Sequence, residues 1–226
     1  ISILLFLGTI ISLYFVPWPI VTAWIKPLPN TVQEQVNKAA DYGFDGIIVC
    51  VNKTGNQTEL YTSGYKNREN KIPTDPNSFF KIASVSKLYT ALAITKLVNN
   101  GRLSLDKALA DYFPELIGRI ENADKITLRM MVQNRSGIPN YTDTKNYWVH
   151  PKQNDKERLE LILDLPANFE PNENFEYSNT NYLLLSQIIE KASGVTKFQY
   201  IKENILEPLN LNNTYGSIQE VDADDV

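Results

Sequence analysis

Ser84 and Lys87 stand three residues apart at the start of an apolar stretch, FFKIASVSKLYTALAITKLVNNG, residues 79–101. From Ser84 onward the apolar positions Val85, Leu88, Ala91, Leu92, Thr95 through its methyl, Leu97 and Val98 repeat with a helical period, and Asn99-Asn100-Gly101 supplies a stop. Residues i and i+3 share one face of a helix, so the Ser84 hydroxyl and the Lys87 amine meet at its first turn. Free backbone N–H groups and the positive end of the helix dipole lie at the same place. A serine with a base in reach and donors for a developing oxyanion reads as a nucleophile. The competing reading is that Ser84 caps the helix and Lys87 is solvated.

S-x-x-K is a weak motif by itself, and it occurs four times here. Ser78–Lys81 lies in a Pro/Asn turn with no helix to align the pair, and Ser104 is expected to cap a short helix running to Ala110. Far downstream, Tyr177-Ser178-Asn179 sits between a Pro/Asn/Glu-rich turn and a predicted helix over residues 180–193. Tyr177 offers a phenol and Asn179 an amide; alone they also fit a buried tyrosine and a helix-capping asparagine. The single His150 lies in a polar, aromatic loop, and no G-x-S-x-G is present, which argues against a Ser–His–Asp triad. If Ser84 acts, its base is a lysine or a tyrosine.

The elements that would position these residues begin with a helix over 31–41 and two strands, 44–51 and 59–65, joined by a hairpin turn at 52–57. Beyond the Ser84 helix come a short helix and turn over 103–116, a helical segment over 126–133, and a helix over 156–165. A last helix, capped by Thr196, runs to about Leu206. The Tyr/Trp-rich connector 141–150 either lines a cleft or packs, and packing is the expectation.

FFKIASVSK, RSGIPNY (residues 135–141) and FEPNENFEYSNTNYLLLSQIIEKASG (residues 169–194) together resemble the penicillin-recognising serine hydrolases: class C β-lactamases, D-alanyl-D-alanine carboxypeptidases and related esterases. The resemblance covers residues 44–216. It implies an α/β (α+β) fold of the β-lactamase/transpeptidase type, an antiparallel sheet flanked by helices with a helical subdomain. It also implies acyl transfer through an acyl-serine on amide, lactam or ester carbonyls. Ser84 would be the nucleophile, with Lys87 and Tyr177 as the base pair, the division between them left open. Asn179 would bind Lys87 and the substrate, and the Ser84 backbone N–H would be one oxyanion donor. The substrate would be a β-lactam, a cell-wall peptide or an ester. Asn172 and Asn134 depart from the glycine and histidine often found at those places. The family's third box, a Lys or His, a small residue and Gly on an inner strand, has no match between Gly216 and Val226. Lys53-Thr54-Gly55 copies it but sits in the hairpin turn. The chain is therefore expected to lack the C-terminal strands of its sheet and to be nearly inactive. The reading from another class is a non-catalytic, membrane-anchored binding or sensor module for cell-wall peptides or β-lactams.

Composition is that of a globular protein, 43% apolar and 21% charged with net charge −4, and nothing basic suggests nucleic acid. One His and one Cys leave no recognisable zinc site, and neither metal nor cofactor is expected. Cys50, in an apolar strand, is expected in the core. Residues 1–25 contain no charge and are long enough for a bilayer helix, which takes about 20 apolar residues, although Pro17 and Pro19 interrupt them. They read as an anchor, a removed signal peptide or a buried helix; the first two place the rest of the chain outside the cytoplasm, in the cell envelope. Residues 26–30 then form a stiff linker, and 31–226 the hydrolase domain.

Overall fold

The computed structural model describes residues 11–221, which fall into two compact units divided after Phe80. Part of the apolar segment 1–25 and most of the acidic end 220–226 lie outside the described residues. Of the former, helix α1 (Trp18–Ile25) follows Pro17 and carries Pro19 in its first turn, where a missing N–H costs nothing. Among the described residues no helix is long and apolar enough to cross a membrane.

The first unit begins with α2 (Val32–Ala40), opened by a reciprocal capping box. Thr31 Oγ1 accepts from Glu34 N at 3.2 Å, and the Glu34 carboxylate accepts from Thr31 N at 3.3 Å. α2 buries Val36 and packs on β2, where Gln33 Nε2 donates to the Thr62 carbonyl at 2.9 Å. Strands β1 (Gly46–Val51) and β2 (Glu59–Asn67) pair antiparallel from Gly46 opposite Gly64 to Val51 opposite Glu59. Lys53-Thr54-Gly55 lies in the turn between them, as expected. A two-residue β3 (Ile72–Pro73) extends the hairpin to three strands in the order β1-β2-β3. Cys50 is exposed, not core: a small sheet with one open face puts alternate residues of an apolar strand in solvent.

The second unit, Lys81–Glu220, is helical. A 3₁₀ turn, Ala83–Val85, leads into α3 (Ser86–Asn99). The helix is where it was expected, but its buried face is not. Thr90, Ala93, Ile94 and Leu97 are buried against α7 (Asn179–Ser193), whereas Val85, Leu88 and Leu92 are exposed, Leu88 by 70%. Apolar residues surround α3 on both sides, so periodicity alone does not choose between them. The expected helix over 103–116 shrinks to α4 (Leu109–Tyr112) and a 3₁₀ turn at Pro114–Leu116. Ser104 does not cap it; its hydroxyl accepts from Asp106 N in a local turn, and Asp111 reaches back to Ala108 N instead. α5 (Leu128–Val132), capped by Thr127, and α6 (Asp155–Glu160), capped by Asn154, are shorter than expected. α7 buries Leu183, Leu184, Leu185, Ile188 and Ile189 and ends on Gly194 at φ +79°. Thr196 caps α8 (Lys197–Ile201), which continues as a wider turn to Leu206.

Candidate active site

Two chain entries converge in the second unit: the turn before α3, which carries Ser84, and the segment before α7, which carries Tyr177. Ser84 and Lys87 lie on the first turn of the α3 entry, as the spacing predicts, with Lys87 Nζ 3.3 Å from Ser84 Oγ. Ala83, immediately before Ser84, holds φ +44°, a left-handed conformation that costs a residue with a Cβ about 1–2 kcal/mol. Ser84 Oγ lies 2.8 Å from Tyr177 Oη, and Lys87 Nζ donates to Asn179 Oδ1 at 2.9 Å. All four residues singled out from the sequence therefore stand in one hydrogen-bonded cluster. Ser84 is exposed and Tyr177 is 42% exposed, while Lys87 is half-buried.

The lysine lies between two phenols. Its Nζ is 4.9 Å from the centre of the Tyr177 ring and 5.5 Å from that of Tyr182, both within cation–π range. Partial burial pushes the Tyr177 phenol up, but the Lys87 ammonium beside it and the Ser84 hydroxyl more than offset this. They leave it below its ordinary 10.0. Tyr182 goes the other way, raised by burial and then by the charge of Tyr177, and its hydroxyl donates to the Val132 carbonyl at 3.0 Å. Two phenols driven apart in this manner are suited to different roles.

Asn179 is fixed from the RSGIPNY segment. Asn140 Oδ1 accepts from both its backbone N–H, at 3.0 Å, and its Nδ2, at 3.2 Å, and Thr142 Oγ1 accepts from the same Nδ2 at 3.2 Å. With both amide protons used, Oδ1 is left to face Lys87. Asn140, Thr142 and Tyr182 were not singled out from the sequence. The signal for Tyr182 was present, since it lies three residues after Asn179 on one helix face; nothing local marks the other two. In the connector after Asn140, Tyr141 packs on the core and Tyr147 stacks edge-on between it and Trp148, which is 79% exposed. Packing thus describes Tyr141 but not Trp148. Among the described residues no cluster of His, Cys, Asp and Glu could hold a metal ion.

A serine and a lysine at a helix entry thus meet a Y-x-N segment, and comparison with known proteins gives the family. The Beta-lactamase family model matches residues 25–224, and the chain belongs to that family. It is 32% identical over 175 residues to penicillin-binding protein 4* of Bacillus subtilis (strain 168), covering 76% of this chain and 38% of the relative. It is 28% identical to protein flp of Staphylococcus aureus (strain MW2), covering 83% of this chain and 39% of that one. Among solved structures, the octameric penicillin-binding protein homologue from Pyrococcus abyssi superposes with TM-score 0.73 at 36% identity, over 84% of this chain and 45% of that one. D-amino acid amidase from Ochrobactrum anthropi SV3, complexed with L-phenylalanine amide, gives TM-score 0.71 at 27% identity, over 81% of this chain and 50% of that one. The chain thus spans well under two thirds of the length of these relatives. The β-lactamase/transpeptidase-like fold, helices with a small antiparallel sheet, is the one expected.

Proposed function

We propose that the protein is a serine hydrolase that transfers an acyl group from an amide, lactam or ester to Ser84. The observation that carries this reading is the contact of Ser84 Oγ with Tyr177 Oη at 2.8 Å, beside an ammonium held by Asn179. In the first step Ser84 Oγ attacks the carbonyl carbon as its proton passes to Tyr177 Oη, and the carbonyl π electrons move to oxygen. Tyr177 is the better placed base. It is closer to Ser84 Oγ than Lys87 Nζ, and the lysine and serine beside it hold its phenol below the ordinary value, which favours the ionised form as base. The Lys87 ammonium, held by Asn179 Oδ1, stabilises the phenolate. The Ser84 backbone N–H would receive the oxyanion, a role in which losing one donor typically costs about 2.7–4 kcal/mol. Collapse returns the proton from Tyr177 to the leaving nitrogen or oxygen. Tyr177 then takes a proton from the water that hydrolyses the acyl-serine.

The amidase and penicillin-binding relatives support small amides, peptides and β-lactams as the substrate class. The apolar residues 1–25 support a place in the cell envelope, as an anchored or exported protein. The test is intact mass after prolonged incubation with benzylpenicillin and, separately, with p-nitrophenyl acetate. A stoichiometric adduct that is lost in Ser84→Ala establishes the acyl-serine. An unmodified mass with both reagents would overturn it in favour of a binding module.

A further inference from the structure

The segment that presents Tyr177 is held by a buried set of amides that takes no part in the chemistry just described. Asn134 stands at its centre. It follows α5, with its N–H on the Met131 carbonyl at 3.1 Å and its backbone in the left-handed region at φ +54°. From there one residue grips the chain on both sides of Tyr177. The Asn134 carbonyl accepts from Glu176 N at 3.0 Å, and Asn134 Oδ1 accepts from Ser178 N at 3.2 Å. The residues on either side of Tyr177 are thus tied through their N–H groups to a single anchor.

The orientation of that anchor is itself fixed. Asn181, fully buried, donates from Nδ2 to Asn134 Oδ1 at 3.2 Å and accepts at Oδ1 from Ser136 Oγ at 2.7 Å. Ser136, also buried, accepts in turn from Ile138 N at 3.1 Å. A hydroxyl that donates to Asn181 Oδ1 forces the Asn181 amide to donate to Asn134, which forces Oδ1 of Asn134 toward Ser178. Reversing any member would bury a donor against a donor, which such networks do not tolerate.

We propose that Asn134 is a positioning residue that sets the reach of Tyr177 Oη to Ser84 Oγ, with Asn181 and Ser136 fixing its amide. The proposal rests on the acyl-serine reading for its kinetic consequence but not for its structural one, so the two are tested separately. Asn134→Gly is the informative variant. Glycine adopts φ +54° without strain and keeps the backbone carbonyl, so what is lost is Oδ1 with its contacts to Ser178 N and Asn181 Nδ2. With ¹³Cζ-tyrosine labelling, and the Tyr177 resonance identified by its absence in Tyr177→Phe, the phenol titration reports the environment of Tyr177 without any turnover. The expected result is an upward move toward 10.0 in Asn134→Gly, because the phenol slips from Ser84 and Lys87. Ser84 acylation should slow roughly tenfold to a hundredfold at unchanged KM, as for a misplaced reacting group. A folded variant with the wild-type titration would overturn the proposal, whatever its thermal stability. Should Asn134→Gly fail to fold, Ser136→Ala decides. It frees the Asn181 amide and should move the titration in the same direction by less; no movement there would equally overturn the proposal. If wild-type protein forms no acyl adduct while the titration still moves, the positioning role stands and the acyl-serine reading falls.

Discussion

Two phenols flank the Lys87 ammonium, and their surroundings push them in opposite directions, which makes the site sensitive to pH at one oxygen. Tyr177 is below its ordinary 10.0 in the folded protein, so its ionised form is favoured there relative to the unfolded chain. The stability this provides is complete above the unfolded value and is lost as pH falls through the lower folded one. At neutral pH it contributes little to folding. Its consequence is kinetic: the acylation rate should rise with pH along a limb centred below 10.0, read as adduct formation against pH, and Tyr177→Phe should abolish the limb. Lys87→Met should move the phenol up and lower the rate roughly 10²–10⁴-fold, as expected for loss of a group that tunes a general base. Ser84, Lys87, Tyr177 and Asn179 were legible in the sequence because each carries a distinctive chemical group at a recognisable spacing. Asn134, Asn140 and Asn181 were not. An asparagine that binds backbone looks like any turn residue until the partners, many residues away in the chain, are brought beside it.

The helices that carry the cluster are stabilised on faces the sequence only partly disclosed. α7 was legible from its period, its Gly194 stop and its long apolar run, and α3 was legible as a helix. The side of α3 that packs was not, because leucine, valine and alanine occur all round it and only the position of α7 decides between them. The difference is measurable. Ile94→Ala, at 1% exposure, should cost about 2–5 kcal/mol by chemical denaturation, whereas Leu88→Ala on the exposed side should stay within about 0.5 kcal/mol. The short helix and turn expected over 103–116 starts late for a local reason: Ser104 and Asp106 close a turn that competes with helix formation. The RSG turn offers a sharper test. Gly137 holds φ +76°, and a Cβ there would overlap the Phe169 carbonyl oxygen, while its own carbonyl accepts from Asn168 N at 2.9 Å. Gly137→Ala should therefore be destabilising well beyond the ordinary glycine-to-alanine change, and thermal unfolding would show it.

At the scale of the whole molecule, the fold class was legible because three separated boxes agreed, whereas β3 and the exposure of Cys50 depend on packing that no local pattern encodes. The tripeptide Lys53-Thr54-Gly55 shows why context outranks motif: the same residues in a hairpin turn between β1 and β2 form only a turn. The folded state also carries a conflict between foldability and reactivity at Ala83. Held at φ +44° just before the nucleophile, it adopts a conformation that glycine would take freely. In Ala83→Gly, relief of about 1–2 kcal/mol is offset by about 0.4–1 kcal/mol of added freedom in the unfolded chain. A slightly higher melting temperature with slower acylation is the expected outcome, and unchanged acylation would show that the strain does not hold Ser84. Under laboratory evolution the two properties should then separate. Libraries screened for survival of heating would accumulate the Ala83→Gly change, and libraries screened for turnover would keep Ala83, so this one position would record which pressure the lineage had met.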